Sequence, residues 1–302
     1  MAGSRSLRLA IALALALVAA LPGAAGAQDW SKLEVATTEL APGLWHLESA
    51  GGHHLVLAGE GGLLVTEAGY AEMAGKLLAA LAALDRGPVR LVVDTHWHFD
   101  HAGANAELAA AGALVAAHET VRRDMAADQV LAVIDTAVPA SPPEALPHVT
   151  FADGLTLHWG GEEVRIRHLP RAHSDGDVIV QLVQADVIAT GDVFWNCGYP
   201  FVDIDHGGTI DGLIAGAEAV LALCGEGTRV VPGHGPAGGR QDVAEYVEML
   251  RGFRAGVAAA RAEGRSLESI VGDSPTAELD ATYGRRFFPA AAFAEMVYRT
   301  LP

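Results

Sequence analysis

Apolar and polar positions switch between two periods along the 302-residue chain. Short apolar runs at 36–49, 53–59 and 61–69 are broken by Gly and Pro, which predicts strands and tight turns. Residues 71–84 then carry apolar positions at helical spacing. "VRLVVDT" (89–95) reads as a buried strand, 102–112 as a helix, 113–118 as a strand and 119–133 as a helix. The Pro-rich stretch 135–149 reads as a loop. Strand text returns at 155–159, 163–169, 177–183 and 186–192. A helix is expected over 209–224, a strand over 228–235, and long helical text over 240–263 and again near 290–300. β-rich text with inserted helices thus occurs once in each half. This predicts an α/β fold with two sheets packed together and helices outside, a four-layer αβ/βα sandwich. Strict βα alternation and a Gly-rich first turn, the marks of a doubly wound sheet, are missing.

The first 27 residues fall outside that pattern. Arg5 and Arg8 precede a thirteen-residue apolar run (9–21), and "AGA" (25–27) follows. That is the layout of a cleavable signal peptide, and the run is short for a bilayer span, which needs about 20 residues. The expectation is a leader over 1–27, a single domain over 28–302 with its core at about 35–250 and a C-terminal helical extension, and a periplasmic or secreted location without stable membrane insertion. Loss of the leader would remove two arginines and no acids, taking the net charge from −17 to −19. So acidic a surface disfavours nucleic acid as a partner and leaves a small-molecule substrate as the expectation. Only Cys197 and Cys224 are available for a disulfide, and two cysteines make no framework.

The candidate chemistry is concentrated in "THWHFDHAGAN" (95–105), where His96, His98, Asp100 and His101 follow the end of a strand. In extended chain, residues i and i+2 face the same way, so His96 and His98 can reach one ion. Asp100 and His101, at the turn into a helix, can face the same cavity from another angle. One short loop can therefore serve two neighbouring metals. Three more donors, His173 in "RAHSDGD", Asp192 in "ATGDVF" and His234 in "VPGHGP", also sit where apolar strand text gives way to a loop.

In the order and spacing of these motifs the chain resembles the metallo-β-lactamase superfamily over residues 35–250. The resemblance implies an αβ/βα sandwich with a dinuclear site at one edge of the inner sheets. Carried over, His96, His98 and His173 would bind the first metal and Asp100, His101 and His234 the second. Asp192 would bridge them, and Asp100 would also orient the nucleophile. The N/O ligand set suits two zinc ions per chain, with iron or manganese as further options. The implied activity is hydrolysis of an ester, thioester, lactone or lactam. Class B β-lactamases usually carry Cys or Ser where Asp192 stands, so the resemblance is nearer to the glyoxalase II-like and general hydrolase branches. A periplasmic β-lactamase and a mononuclear-iron enzyme similar to sulfur dioxygenases are the alternatives.

Specificity is expected from loops around the site. Trp97 lies between two ligands, and Phe194 and Tyr199 belong to the aromatic stretch 194–201. These three are the candidate substrate contacts, with a place in the core as the competing expectation for Trp97 and Phe194. His53 and His54 could overhang the pocket. Asp94 and Asp177 are candidate acceptors behind the ligand histidines, as are Asp203, Asp205 and His206 unless they lie at the surface. Cys197 is a candidate for a place near the cavity, and His118 is expected to be structural.

Overall fold

The computed structural model describes residues 28–284 and 288–302; the expected leader lies outside the described residues. Two sheets carry the architecture. The larger has seven strands in the order β1 (Ala36–Ala41), β2 (Leu44–Ser49), β3 (Gly52–Gly59), β4 (Gly62–Thr66), β5 (Val89–Val93), β6 (Leu114–His118) and β9 (Val149–Phe151). The smaller has β10 (Gly154–Trp159), β11 (Glu162–His168), β12 (Val178–Leu182), β13 (Val187–Ala189) and β14 (Arg229–Val231). A ribbon of β7 (Gln129–Leu131) and β8 (Thr136–Val138) stands apart.

The period-two alternation of a strand decides what each residue touches. Leu55 and Leu57 of β3, Leu64 of β4 and Val93 of β5 pack against Val178, Val180, Val187, Ala189 and Val231 in one cluster between the sheets. Their sequence neighbours Val56, Leu63, Val65 and Val92 point outward, against Leu77 and Leu81 of helix α1 (Ala74–Ala83) and Leu108 of a short helix. On the far side Ile179, Ile188 and Val230 meet helices α5 (Ile210–Leu223) and α6 (Arg240–Ala262). Each fully buried Leu, Ile or Val contributes about 1.5–3 kcal/mol relative to an exposed one. Helix, sheet, sheet and helix are thus four layers with three apolar seams.

The helical text agrees with the expectation at 74–83, 210–223 and 240–262. Thr209 caps α5 by accepting the Gly212 N–H at 3.0 Å, and Asp242 accepts the Gly239 N–H at 2.8 Å at the start of α6. Beyond α6, helices at Leu267–Asp273, Ala277–Tyr283 and Ala290–Thr300 bring Ile270, Phe293, Met296 and Val297 into the same outer cluster as α5 and α6.

Three local expectations are corrected. The helix expected over 119–133 is only α4 (Glu119–Met125), and the rest becomes β7 and a 3-10 turn. Gln129 Nε2 donates to the Asp124 carbonyl at 2.8 Å, and Ala140 N–H to Asp128 at 2.9 Å, which fold the chain back into the ribbon. The helix expected over 102–112 is two pieces, α2 (Phe99–Ala102) and α3 (Asn105–Ala110). The loop expected over 135–149 contributes β8 and begins β9, which extends the large sheet beside β6.

Candidate metal centre

Sheet topology brings the candidate residues to one edge. β4, β5 and β6 run parallel, so Glu67 and the segment 94–101 leave the same end of the large sheet. In the small sheet β13 and β14 are parallel, and β11 shares their direction because β12 is antiparallel to both β11 and β13. The loops carrying His173, Asp192 and His234 therefore open at one end. The two edges are tied where Val178 N–H donates to the Thr95 carbonyl at 2.8 Å. Two glycines allow the closest approaches. Gly191 has φ +50°, and a Cβ there would lie 2.1 Å from Thr95 Oγ1; one on Gly233 would lie 2.0 Å from Asp192 Oδ1.

Two sets of donor atoms converge. In the first, His98 Nδ1 lies 3.1 Å from both His96 Nε2 and His173 Nε2, and Asp192 Oδ2 lies 3.8 and 3.6 Å from those two atoms. In the second, His101 Nε2 and His234 Nε2 are 3.5 Å apart, and Asp100 Oδ2 is 3.5 and 3.3 Å from them. Asp192 Oδ1 faces this second pair at 3.3 and 3.4 Å. A tetrahedral ion with bonds of about 2.0–2.1 Å spaces its donors roughly 3.3–3.4 Å apart. The second set lies close to that spacing at 3.3–3.5 Å, the first brackets it at 3.1–3.8 Å, and the Asp192 carboxylate offers one oxygen to each.

Charge follows the same division. Burial pulls His96 well below the ordinary imidazole range and His173 down to about 4. Burial acts on His234 in the same direction, but Asp192 and Asp100 override it and lift the ring to about 9. His101 is likewise raised by Asp100, Asp192 and Glu67 against the pull of burial. Asp192 and Asp100 stay below the usual carboxylate range in spite of burial, because His101 and His234 face them. In the first set burial holds His96 and His173 neutral; the second set gathers carboxylates and takes up protons on His101 and His234 when it has no cation.

Outer partners fix which nitrogen of each ring faces inward. Asp203, with no exposed surface, accepts from His98 Nε2 at 2.9 Å and Trp97 Nε1 at 3.0 Å on one oxygen. On the other it accepts from His206 Nδ1 at 2.8 Å and His206 N–H at 3.2 Å. His173 Nδ1 donates to the Phe201 carbonyl at 2.9 Å. Thr95 Oγ1 lies 3.0 Å from His96 Nδ1 and donates to Glu67, whose Oε1 is 3.3 Å from His101 Nδ1.

A family model described as the metallo-beta-lactamase superfamily matches residues 51–251, two thirds of the chain. The chain belongs to this superfamily. Among solved structures, a metallo-beta-lactamase from Pontibacter korlensis is 20% identical with a TM-score of 0.59, covering 72% of this chain and 99% of its own. A metallo-beta-lactamase with a HARLDQ motif from Cronobacter sakazakii is 22% identical with a TM-score of 0.62, covering 77% and 98%. The stereoselective inverting sec-alkylsulfatase Pisa1 from a Pseudomonas species is 18% identical with a TM-score of 0.66. That match covers 88% of this chain but 50% of the sulfatase, so the chain spans half that enzyme's length. No curated protein matches the chain at a significant level.

Within this superfamily fold, the seven expected donors meet in two adjoining groups that could hold metal, His96, His98, His173 and Asp192 in one and Asp100, His101 and His234 in the other, with all but Asp100 buried. The expected substrate contacts fare differently. Phe194 is fully buried against Tyr246, and Tyr199 is fully buried, stacked on Phe293 and hydrogen-bonded to Asp280 at 2.7 Å; both belong to the core. Trp97 is buried and its indole holds Asp203. Asp94 does not back a ligand ring but accepts from Asn105 at 2.7 Å; Asp177 holds Ser174 N–H and Oγ at 2.7 Å and is also hydrogen-bonded to the His173 backbone. Asp205 accepts the Ala132 N–H at 2.7 Å. His54 turns away to the Glu67 carbonyl at 2.8 Å. His118 stacks on His168 at 3.8 Å, a structural place. Cys197 and Cys224 are buried and form no disulfide with each other. Glu67 was missed, though it too ends a strand, in "VTEAG", and the strand-end rule applied to β4 would have found it. Missed as well is a rim of partly exposed aromatics, in which Tyr70 lies 5.0 Å from Trp30 and 5.8 Å from Phe99 between ring centroids.

Proposed function

We propose that the chain is an exported dinuclear zinc hydrolase acting on a small ester, thioester, lactone or lactam. The observation that carries this reading is the Asp192 carboxylate, with Oδ2 toward His96 and His173 and Oδ1 toward His101 and His234. His96, His98 and His173 would hold one ion and Asp100, His101 and His234 the other, with Asp192 shared. When bound, such a metal pair supplies Lewis acidity and lowers the pKa of water toward 7.

The chain's own groups supply orientation and proton traffic. Of the seven donors' side chains, Asp100 is the most exposed at 15%, followed by His234, so water and substrate approach from that side. Asp100 remains a carboxylate and is placed to accept the proton of the attacking water as its oxygen bonds to the carbonyl carbon. That proton passes to the leaving oxygen, sulfur or nitrogen as its bond to carbon breaks. The rim of Trp30, Tyr70 and Phe99 beside Asp100 would receive an apolar acyl or ring portion.

The test is a metal count on purified protein together with parallel assays of nitrocefin, a lactone, an aryl ester, a thioester and a secondary alkyl sulfate, the last because of the sulfatase neighbour. The reading expects two zinc ions per chain and carbonyl-ester, thioester, lactone or lactam turnover that chelation abolishes and zinc restores. A single tightly bound iron, or turnover confined to the sulfate, would overturn it.

A further inference from the structure

A second group of donors lies on the inward face of the β2–β3 hairpin. β2 places His46 and Glu48 two residues apart, on one face of the strand. The antiparallel register sets His53 of β3 directly opposite Glu48. His46 Nε2 and His53 Nδ1 are 2.8 Å apart, and Glu48 Oε1 lies 3.9 Å from the same His53 Nδ1. The His46 ring is buried and the His53 side chain is 9% exposed, while Glu48 is half exposed.

The orientation of His53 is that of a ligand. Its ring also makes a hydrogen bond to the Gly235 backbone, and Nδ1 is the atom that faces His46 and Glu48. His173 in the main cluster is held by the same device, with one ring nitrogen on a backbone carbonyl and the other facing the donor set. A spacing of 2.8 Å matches two adjacent corners of an octahedron, which bonds of about 2.0–2.1 Å place roughly 2.9 Å apart. Rotation of the half-exposed Glu48 closes the third corner, and water fills the rest. Arg229, across the sheets, is the opposing charge felt by His46, and Glu48 offsets it.

We propose that His46, Glu48 and His53 form a separate metal site, a two-histidine, one-carboxylate set for a divalent first-row transition ion. It lies outside the Asp192-centred cluster and does not depend on how many ions that cluster takes. Because His53 bonds to Gly235, next to His234, the ion would clamp the hairpin to the loop that carries His234.

The experiment titrates chelator-stripped full-length protein with cobalt(II), following visible absorption and metal per chain. It compares wild type with Glu48→Gln and with His46→Gln/His53→Gln. The proposal expects one equivalent to weaken at least tenfold in Glu48→Gln and to vanish in the double variant, with the remaining equivalents and the far-UV circular dichroism unchanged. The difference between proteins, not the total, is the readout. Glu48 is half exposed, so its variant keeps the test valid if the double variant folds poorly. Equal cobalt counts and affinities in wild type and Glu48→Gln would overturn the site and leave an ordinary histidine–histidine hydrogen bond.

Discussion

Asp203 offers the sharpest test of how the metal centre is held. Its Oδ2 accepts two hydrogen bonds, from His98 and Trp97, and its Oδ1 two from His206, all at 2.8–3.2 Å and away from solvent. Alanine there would strand three ring donors at once, those of His98, Trp97 and His206, each costing about 1–3 kcal/mol if left unpaired, and the fold would fail before the metal could be studied. Asp203→Asn keeps the shape and turns one acceptor into a donor. If the amide NH2 faces His98 and Trp97, His98 must change tautomer and withdraw Nδ1 from the donor set. If it faces His206, the Nδ1–H of that ring loses its acceptor, at roughly 1–3 kcal/mol, while the backbone N–H keeps the Asp203 carbonyl at 3.2 Å. Replacing the carboxylate behind a ligand histidine typically costs about 10–100-fold in metal affinity, or roughly 1.4–2.8 kcal/mol. The expected result is that loss for one ion, measured by competition with a chromogenic chelator, with a drop in melting temperature of several degrees. Asp205→Asn, two residues away and bonded to Ala132 N–H with the distant Arg299 at 4.0 Å, is the control. Wild-type metal affinity in Asp203→Asn would refute the argument that this carboxylate sets the His98 tautomer.

Other consequences follow from single positions. Asp192→Asn removes the charge shared by both donor sets; hydrolysis should fall at least about 100-fold and bound metal should drop below the wild-type count by elemental analysis, with unchanged circular dichroism. Gly191→Ala forces a Cβ to within 2.1 Å of Thr95 Oγ1 at φ +50°, so urea unfolding should show a loss of about 3 kcal/mol from overpacking and left-handed strain. His118, buried against His168, has its pKa pulled down by burial and then by that neighbour. The unfolded chain therefore binds the proton more readily, so this contribution is present above pH ~6.5 and is lost as pH falls through the lower folded value. His118→Gln should flatten the acid limb of the stability curve below that pH.

How much was legible differs by the kind of contact. His96, His98, Asp100 and His101 could be read as a unit because a four-residue helix after a strand leaves them no separate destinations. His173, Asp192 and His234 could be added because each ends an apolar strand, and parallel strands deliver such ends to one edge. The sandwich was legible for the same reason: Leu55 and Val56, or Val92 and Val93, alternate between two apolar seams. The partners behind the ligands were much less so. Asp203 reaches His98 across 105 residues of sequence, and Glu67 reaches Thr95 across 28. Those pairings depend on how loops pack over the edge, which no local pattern encodes. Asp94, a tempting acceptor two residues from His96, is turned by the strand pleat toward Asn105 instead. The β7–β8 ribbon was hidden because residues 119–133 read as helical throughout; tertiary bonds at Asp124 and Asp128 override that propensity.

The charge division of the cluster also dictates an order of metal loading. His96 and His173 are already neutral near pH 7, since burial holds both well below that value. A first ion entering beside these two rings has little proton to displace from them. His234 is lifted to about 9, and His101 is raised as well, so the set with Asp100 must give up protons before it binds. Each pH unit below the His234 value then costs that set about 1.4 kcal/mol for each proton displaced. Zinc titration of stripped protein in weak buffer at pH 7 should show few protons released with the first equivalent bound at the cluster and more with the second. Lowering the pH to 6 should weaken the second far more than the first. If both equivalents released protons equally, or if the first were the more acid-sensitive, the assignment of His101 and His234 as the proton-bearing pair would be wrong. On the proposed two-metal reading, a half-loaded site below neutrality is the functional consequence. Asp100 would then remain paired with protonated His234 rather than with an ion, and could not accept a proton from water as readily. Hydrolysis should therefore fall on the acid side with the second metal, not with the first.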